Sequence, residues 1–250
     1  MTGLAGWTRR AAGLAALGAL AQAAPMATSL GPVRAVCWPR LTGLGDAKHV
    51  ALTFDDGPDP ASTPLFLEAL EEAGVRATFF LLGRMAQQAP GLAREIADAG
   101  HEVALHGWRH RAHIALTPAQ TVRDLRRGRD EVAEAIGRAP VWYRPPYGVA
   151  TASTFAACRE LGLRPVLWSA WGRDWTADAT PESVFRTVAR DLRGGGTVLL
   201  HDSDCTSKPE SWRSTLAALP LLLKHCAEQG WRVGPLREHG LEHAPARGAA

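Results

Sequence analysis

HVALTFDDGPDPASTPLFLEALEEAGVRATFFLL, residues 49–82, contains one complete strand–turn–helix–strand unit. The run His49–Phe54 is apolar enough for a strand covered on both faces, and Asp55-Asp56-Gly57-Pro58 breaks it with turn chemistry. A helix follows, with Thr63 read as N-cap and Pro64 at the first helical position, where the missing N–H costs nothing. It stops at Gly74, a residue that adopts the left-handed C-cap conformation without a Cβ penalty. The apolar run Arg76–Leu82 then starts a second strand.

The same unit recurs along the chain. Further strands are expected at Glu102–Leu105, Val141–Tyr143, Arg164–Trp168, Thr197–Leu200 and Trp231–Val233. Helices are expected over 91–99, from Thr117-Pro118 to Gly137, up to Gly162, from Thr180-Pro181 to Gly194, and up to Gly230. Strand–helix alternation at this spacing implies parallel strands joined by helical crossovers. The expected class is α/β, a distorted (β/α) barrel of about seven parallel strands, TIM-barrel-like. A doubly wound open sheet is the alternative. The barrel is preferred because the ionisable motifs follow the ends of five different strands, and a barrel gathers its active site there.

Composition narrows the function classes. A hydrophobic fraction of 46% supports a full core, and a charged fraction of 21% with net charge +3 argues against disorder. No Lys/Arg run is interleaved with aromatics, so no nucleic-acid partner is implied. Nine Trp against two Tyr leaves Trp to spare for stacking on sugar rings as well as for the core. Arg9-Arg10, the apolar run 11–20 and Ala21-Gln22-Ala23 read as a signal peptide cut after Ala23 or, alternatively, an uncleaved membrane anchor. Either places the body outside the membrane, secreted or associated with the cell envelope. The domain organisation is then 1–23 leader or anchor, 24–47 irregular approach segment, 48–239 folded domain and 240–250 tail. Cys37, Cys158, Cys205 and Cys226 have no C-x-x-C spacing; they allow three pairings or four free thiols.

Five motifs carry chemistry. Asp55-Asp56 could divide into one metal ligand and one free base, although such a pair also caps turns unaided. His106-Gly107-Trp108-Arg109-His110 places two imidazoles at a spacing that shares one helical face, and with a carboxylate they would leave one zinc position open. His113 offers a rival partner for His110 at helical spacing; His101, at a strand start, reads as structural. Arg144-Pro145-Pro146-Tyr147-Gly148 is a rigid turn presenting a fixed guanidinium. Gly172-Arg173-Asp174-Trp175 and Leu199-Leu200-His201-Asp202 offer a carboxylate–imidazole pair, with Asp202 as a supporting group or cap.

Taken together and in this order, Thr53-Phe54-Asp55-Asp56-Gly57-Pro58, His106-x-x-x-His110, Arg144-Pro-Pro-Tyr147-Gly148, Asp174-Trp175 and Leu199-x-His201 resemble the polysaccharide deacetylases of the NodB-homology type, carbohydrate esterase family 4. The resemblance spans about Val50 to Leu236. It implies Asp55 as general base, Asp56, His106 and His110 as ligands of a divalent metal, and Arg144 as the residue orienting Asp55. It further implies an oxyanion donor in the Tyr147 backbone, His201 as general acid tuned by Asp174, and Trp175 and Leu199 around the acetyl methyl. The expected cofactor is Zn2+, with Co2+ or Ni2+ also suited to such N/O donors. The expected partner is an acetylated polysaccharide or oligosaccharide, and the expected reaction is removal of N-acetyl groups from an amino-sugar polymer. The alternatives are an O-acetyl esterase on acetylated xylan and a non-catalytic carbohydrate-binding homologue. Two departures stand out: Gly107 replaces the family's usual Ser or Thr, and Ser169-Ala170-Trp171-Gly172 lacks an acidic residue often found there.

Overall fold

In the computed structural model, which describes residue 13 and residues 16–241, all seven residues of β1 (His49–Asp55) are buried. β1 pairs in parallel with β2 (Thr78–Leu81) on one side and β7 (Thr197–His201) on the other. β8 (Arg232–Gly234) joins its first three residues. β3 (Glu102–Leu105), β4 (Trp142–Tyr143) and β5 (Arg164–Pro165) extend the β2 side, and β6 (Ala170–Trp171) extends the β7 side. The order is β5-β4-β3-β2-β1-β7-β6 with β8 beside β1, all parallel. Among the described residues no ladder joins β5 to β6, so the sheet curls into an incomplete barrel, as expected from the sequence.

Alternation along β1 explains the layers. Val50, Leu52 and Phe54 belong to the large cluster between sheet and helices. Ala51 belongs to the small inner cluster with Phe80, Ala104, Trp142, Val166 and Leu236. Successive strand residues face opposite sides, so Thr53 and Asp55 share the inner face with Ala51. The register places Asp55 opposite Phe80 and His201, at the C-terminal rim.

The helices are α1 (Gly31–Cys37), α2 (Thr63–Glu72), α3 (Gly83–Gln88), α4 (Pro90–Asp98), α5 (Pro118–Ile136), α6 (Ala152–Leu161), α7 (Pro181–Asp191) and α8 (Trp212–Glu228). α5 starts with a full capping box, Thr117 and Gln120 satisfying each other's backbone N–H, and ends on left-handed Gly137. Several expectations are corrected. Ser62, not Thr63, is the N-cap of α2; the Thr63 hydroxyl turns inward to accept from the Asp59 N–H and donate to Asp202 Oδ2. α3 has no side-chain cap to announce it. The strand expected over Arg164–Trp168 stops at Pro165, because the Leu167 N–H goes to Leu41 and its carbonyl to Arg144. α7 ends in extended Leu192; Gly194 is needed instead because a Cβ there would strike the Ala47 carbonyl.

The approach segment 24–47 is not irregular: 3-10 turns at Ala24–Ser29 and Pro39–Thr42 flank α1. Buried Arg34 braces the segment through the Thr28 carbonyl and ties it to the barrel through the Trp168 carbonyl. Of the leader, residues 1–12, 14 and 15 lie outside the described residues; 16–23 are helical. No described helix is long and apolar enough to cross a membrane. Of the tail, residues 242–250 lie outside the described residues, while Leu241 packs on the inner cluster. All four cysteines are free.

Candidate active site

Asp55 ends β1 and Asp56 opens the turn after it. Asp56 has φ +81°, a left-handed conformation in which a non-glycine residue is held only by its surroundings. That inversion brings both carboxylates to one side. Asp55 is pinned by Arg144: Nη1 donates to Asp55 Oδ1 at 2.6 Å and to Thr53 Oγ1 at 2.8 Å, and Nη2 donates to the Leu167 carbonyl at 3.0 Å. Arg144 is wholly buried, its guanidinium 4.0 Å above the Phe80 ring. Burial pushes the Asp55 carboxyl upward and the Arg144 charge only partly offsets it. Oδ2 of Asp55 is left facing the pocket.

Asp56 is partnered differently. Its Oδ2 accepts from the Thr206 hydroxyl at 2.5 Å. Its Oδ1 is buried with no hydrogen-bond partner. His106 Nε2 lies 3.5 Å from that oxygen and His110 Nε2 3.8 Å. His106 Nδ1 sits 2.8 Å from the Arg144 carbonyl, an acceptor, so the hydrogen is on Nδ1 and the Nε2 lone pair faces Asp56. Burial pulls His106 down to about 3 and also lowers His110, so neutral imidazoles rather than salt-bridged imidazoliums are expected. A carboxylate oxygen and two imidazole lone pairs, all within 4.8 Å of one another, repel unless a cation sits between them. The donor set fits a divalent metal with an open position.

The two histidines do not share a helical turn. His106 closes the β3 edge, and His110 lies in a non-helical loop that reverses at Gly107, φ +100°. His113 is turned away, bonded to Thr154 Oγ1 and Tyr143. His101 accepts the Ala77 N–H, a structural position. The loop is held by α3 and α5. The N–H groups of Gly83 and Arg84 bond the Gly107 and Trp108 carbonyls, Asp124 accepts the Trp108 N–H, and Arg127 lies 3.8 Å over the Trp108 ring. A Cβ on Gly128 would meet the Gly107 backbone at 2.8 Å.

Across the pocket, Asp174 accepts three hydrogen bonds: from the His201 backbone N–H (2.8 Å), His201 Nδ1 (2.9 Å) and Thr215 Oγ1 (2.7 Å). Burial alone would lower the His201 pKa, but the Asp174 charge and hydrogen bond, helped by Asp56 and Asp55, raise it to about 10. Asp174 is correspondingly lowered, despite its burial. Tyr147 has φ +60°. Its neighbours' N–H groups close the turn onto Pro145 and Pro146, while its own has no acceptor among the described residues. Asp202, wholly buried, takes the Thr63 hydroxyl and packs where a Cβ on Gly57 would collide with it.

A cavity of about 270 Å³ joins these groups, lined by Asp55, His106, His110, Tyr147, Leu199 and His201 together with three tryptophans. Trp168 and Trp171 stack at 5.8 Å between ring centroids, and Trp171 lies 5.2 Å from Trp175. The fold therefore brings Asp55, Asp56, His106, His110, Arg144, Tyr147, Asp174, Trp175, Leu199 and His201 to one rim, and leaves His113 and His101 away from it. Thr53, Thr206 and Thr215 were not selected. A single threonine, whether in a strand, a loop or a helix, carries no signal of a distant partner, and each acts on one 41 to 150 residues away.

Residues 43–166 match the family model described as polysaccharide deacetylase. The chain is 34% identical over 194 residues to the peptidoglycan-N-acetylglucosamine deacetylase of Bacillus cereus, covering 76% of this chain and 87% of that protein. It is 33% identical over 204 residues to a chitooligosaccharide deacetylase of Bradyrhizobium, covering 77% and 91%. Its fold superposes with TM-score 0.70 and 26% identity on BA3943, a CE4 family pseudoenzyme from Bacillus anthracis, covering 78% of this chain and 66% of that one.

Proposed function

The chain belongs to the polysaccharide deacetylase family, carbohydrate esterase family 4, and from that premise we propose that it hydrolyses N-acetyl groups of an amino-sugar polysaccharide. One observation carries this reading. The paired carboxylates are already divided: Asp56 Oδ1 faces two imidazole lone pairs, whereas Asp55 is held by Arg144 through Oδ1, its Oδ2 lying 3.8 Å from His106 Nε2.

Asp56 Oδ1, His106 Nε2 and His110 Nε2 would hold the divalent ion, Zn2+ being the first choice for this donor set. When bound, the ion supplies Lewis acidity, easing deprotonation of water and polarising the acetyl carbonyl. Asp55 Oδ2 takes the proton of the attacking water. Its upward-shifted carboxyl is better suited to that task than an ordinary aspartate. The Tyr147 N–H donates to the oxyanion as it forms. His201, its Nδ1 hydrogen committed to Asp174, delivers the Nε2 proton to the sugar nitrogen as the C–N bond breaks. Leu199 and the Trp175 ring, which stands edge-on 5.6 Å from His201, enclose the acetyl methyl. Export through residues 1–23 is part of the same proposal, and it puts the reaction where such polymers are found.

Acetate release from an N-acetylglucosamine oligomer, measured beside acetylated xylan, tests the reading. Asp55→Asn should keep the metal and lose turnover by about 10²–10⁴. A wild-type protein that binds metal and releases no acetate from either substrate would place it with the non-catalytic homologues. Release from xylan alone would make it an O-acetyl esterase.

A further inference from the structure

Beside the metal cluster lies a second cavity of about 420 Å³. It shares two wall residues with the first, His110 and Thr206, and so adjoins it. Their linings differ in character. The first is walled by Trp168, Trp171, Trp175 and Tyr147. The second is lined by Arg84, Arg109 and Arg111 and by no acidic residue.

What sets these arginines apart is that all three line one cavity beside the site. Arg126, Arg190 and Arg213 are each paired with a carboxylate. Arg84, Arg109 and Arg111 are exposed and have no carboxylate within ion-pair distance among the described residues. Asp124, largely buried, accepts the Trp108 N–H and feels the charges of Arg111 and Arg109, but lies beyond ion-pair distance of both. Their backbones are fixed even though their side chains are free. Arg84 donates its N–H to the Trp108 carbonyl, and the Arg111 N–H closes onto Arg109. Guanidinium groups carried by α3 and the adjoining loop can pair with carboxylates through their fork geometry.

We propose that Arg84, Arg109 and Arg111 form an anion subsite beside the reaction centre that selects amino-sugar glycans bearing carboxylates over neutral ones. It rests on the deacetylase reading and narrows its substrate class. Of the two substrates in the relatives' names, peptidoglycan carries carboxylates on its glycan and peptide substituents, and a chitooligosaccharide carries none. The aromatic wall stacks on the sugar being deacetylated, and the arginines engage the charged substituent of its neighbour.

The test compares acetate release from one carboxylate-bearing N-acetylated glycan oligomer and from its methyl ester, which keeps the shape and removes the charge. The acid form should be preferred in kcat/KM by roughly tenfold at low ionic strength, the size of one charge-assisted hydrogen bond. The preference should shrink as salt is added. Arg84→Gln and Arg109→Gln should each reduce the ratio of acid to ester, which a partly unfolded or metal-poor sample leaves unchanged. A wild-type ratio near one, or a ratio that neither variant moves, overturns the subsite. Failure to release acetate from acid and ester alike would count against the deacetylase reading itself.

Discussion

His201 and Asp174 bind each other twice: the imidazole Nδ1 meets Asp174 Oδ1 at 2.9 Å, and the His201 backbone N–H meets Asp174 Oδ2 at 2.8 Å. The side chain is fixed in one tautomer, and its acidity is set by a carboxylate that has no other cation at ion-pair distance among the described residues.

The first prediction concerns pH. A His pKa raised to about 10 keeps the ring protonated through neutral pH, so activity that needs the acid form falls only as pH rises toward that value. A cation held by Asp56 cancels that carboxylate's share of the shift and brings the limb down somewhat. Asp174→Asn removes the main counter-charge and leaves burial opposed only by the more distant Asp55 and Asp56, so the alkaline limb of kcat/KM should move to lower pH. An alkaline limb unaffected by Asp174→Asn would remove His201 from the role of acid.

Thr206 gives a second prediction. Its hydroxyl engages Asp56 Oδ2, leaving Oδ1 as the free donor. Groups that orient a ligand in this way typically contribute about 10- to 100-fold in metal affinity. Thr206→Val should weaken Zn2+ binding on that scale in equilibrium dialysis, and Thr206→Ser should restore it. Equal affinities in all three proteins would reduce Thr206 to packing.

Arg144 gives the third. Removing the buried guanidinium leaves Asp55 buried and uncompensated, a loss of about 3–5 kcal/mol when one partner of a buried pair is deleted. Arg144→Met should therefore lower stability in denaturant melts. Without the opposing charge the Asp55 pKa rises further, so the acidic limb of any residual activity should move to higher pH. An unshifted acidic limb would mean that Asp55 is not the base.

Gly107 gives the fourth. The usual family residue there is Ser or Thr, yet φ is +100° and α5 approaches closely through Gly128. Gly107→Ser, although a return to the family pattern, should destabilise by about 1–3 kcal/mol, a fall in Tm of several degrees at about 2–4 °C per kcal/mol for a chain of this size. A Tm equal to or above that of the parent would show that the loop relaxes around the side chain.

Much of the fold was legible because its signals are local. Glu102–Leu105 is a strand as expected, and the capping box at Thr117 and the glycine at 137 bound α5 as expected. Where the reading failed, a distant group had claimed the local one. Leu167 leaves the ladder because Leu41 and Arg144 take its backbone, and Thr63 leaves the capping position because Asp202 takes its hydroxyl. His106 and His110 have helical spacing without a helix: their approach is set by the reversal at Gly107 and by the α3 and α5 contacts that hold it.

By itself the sequence determined the α/β alternation and which ionisable side chains follow the strands, because strand periodicity, caps and turn residues act over a few positions. Tertiary structure alone decided how Asp55 and Asp56 divide, since that depends on Arg144 reaching one and Thr206, 150 residues on, reaching the other. It alone also set three tryptophans along one wall and three unpaired arginines along the other. Such neighbours come from loops that only barrel curvature brings together, and no pattern along the chain encodes that distance.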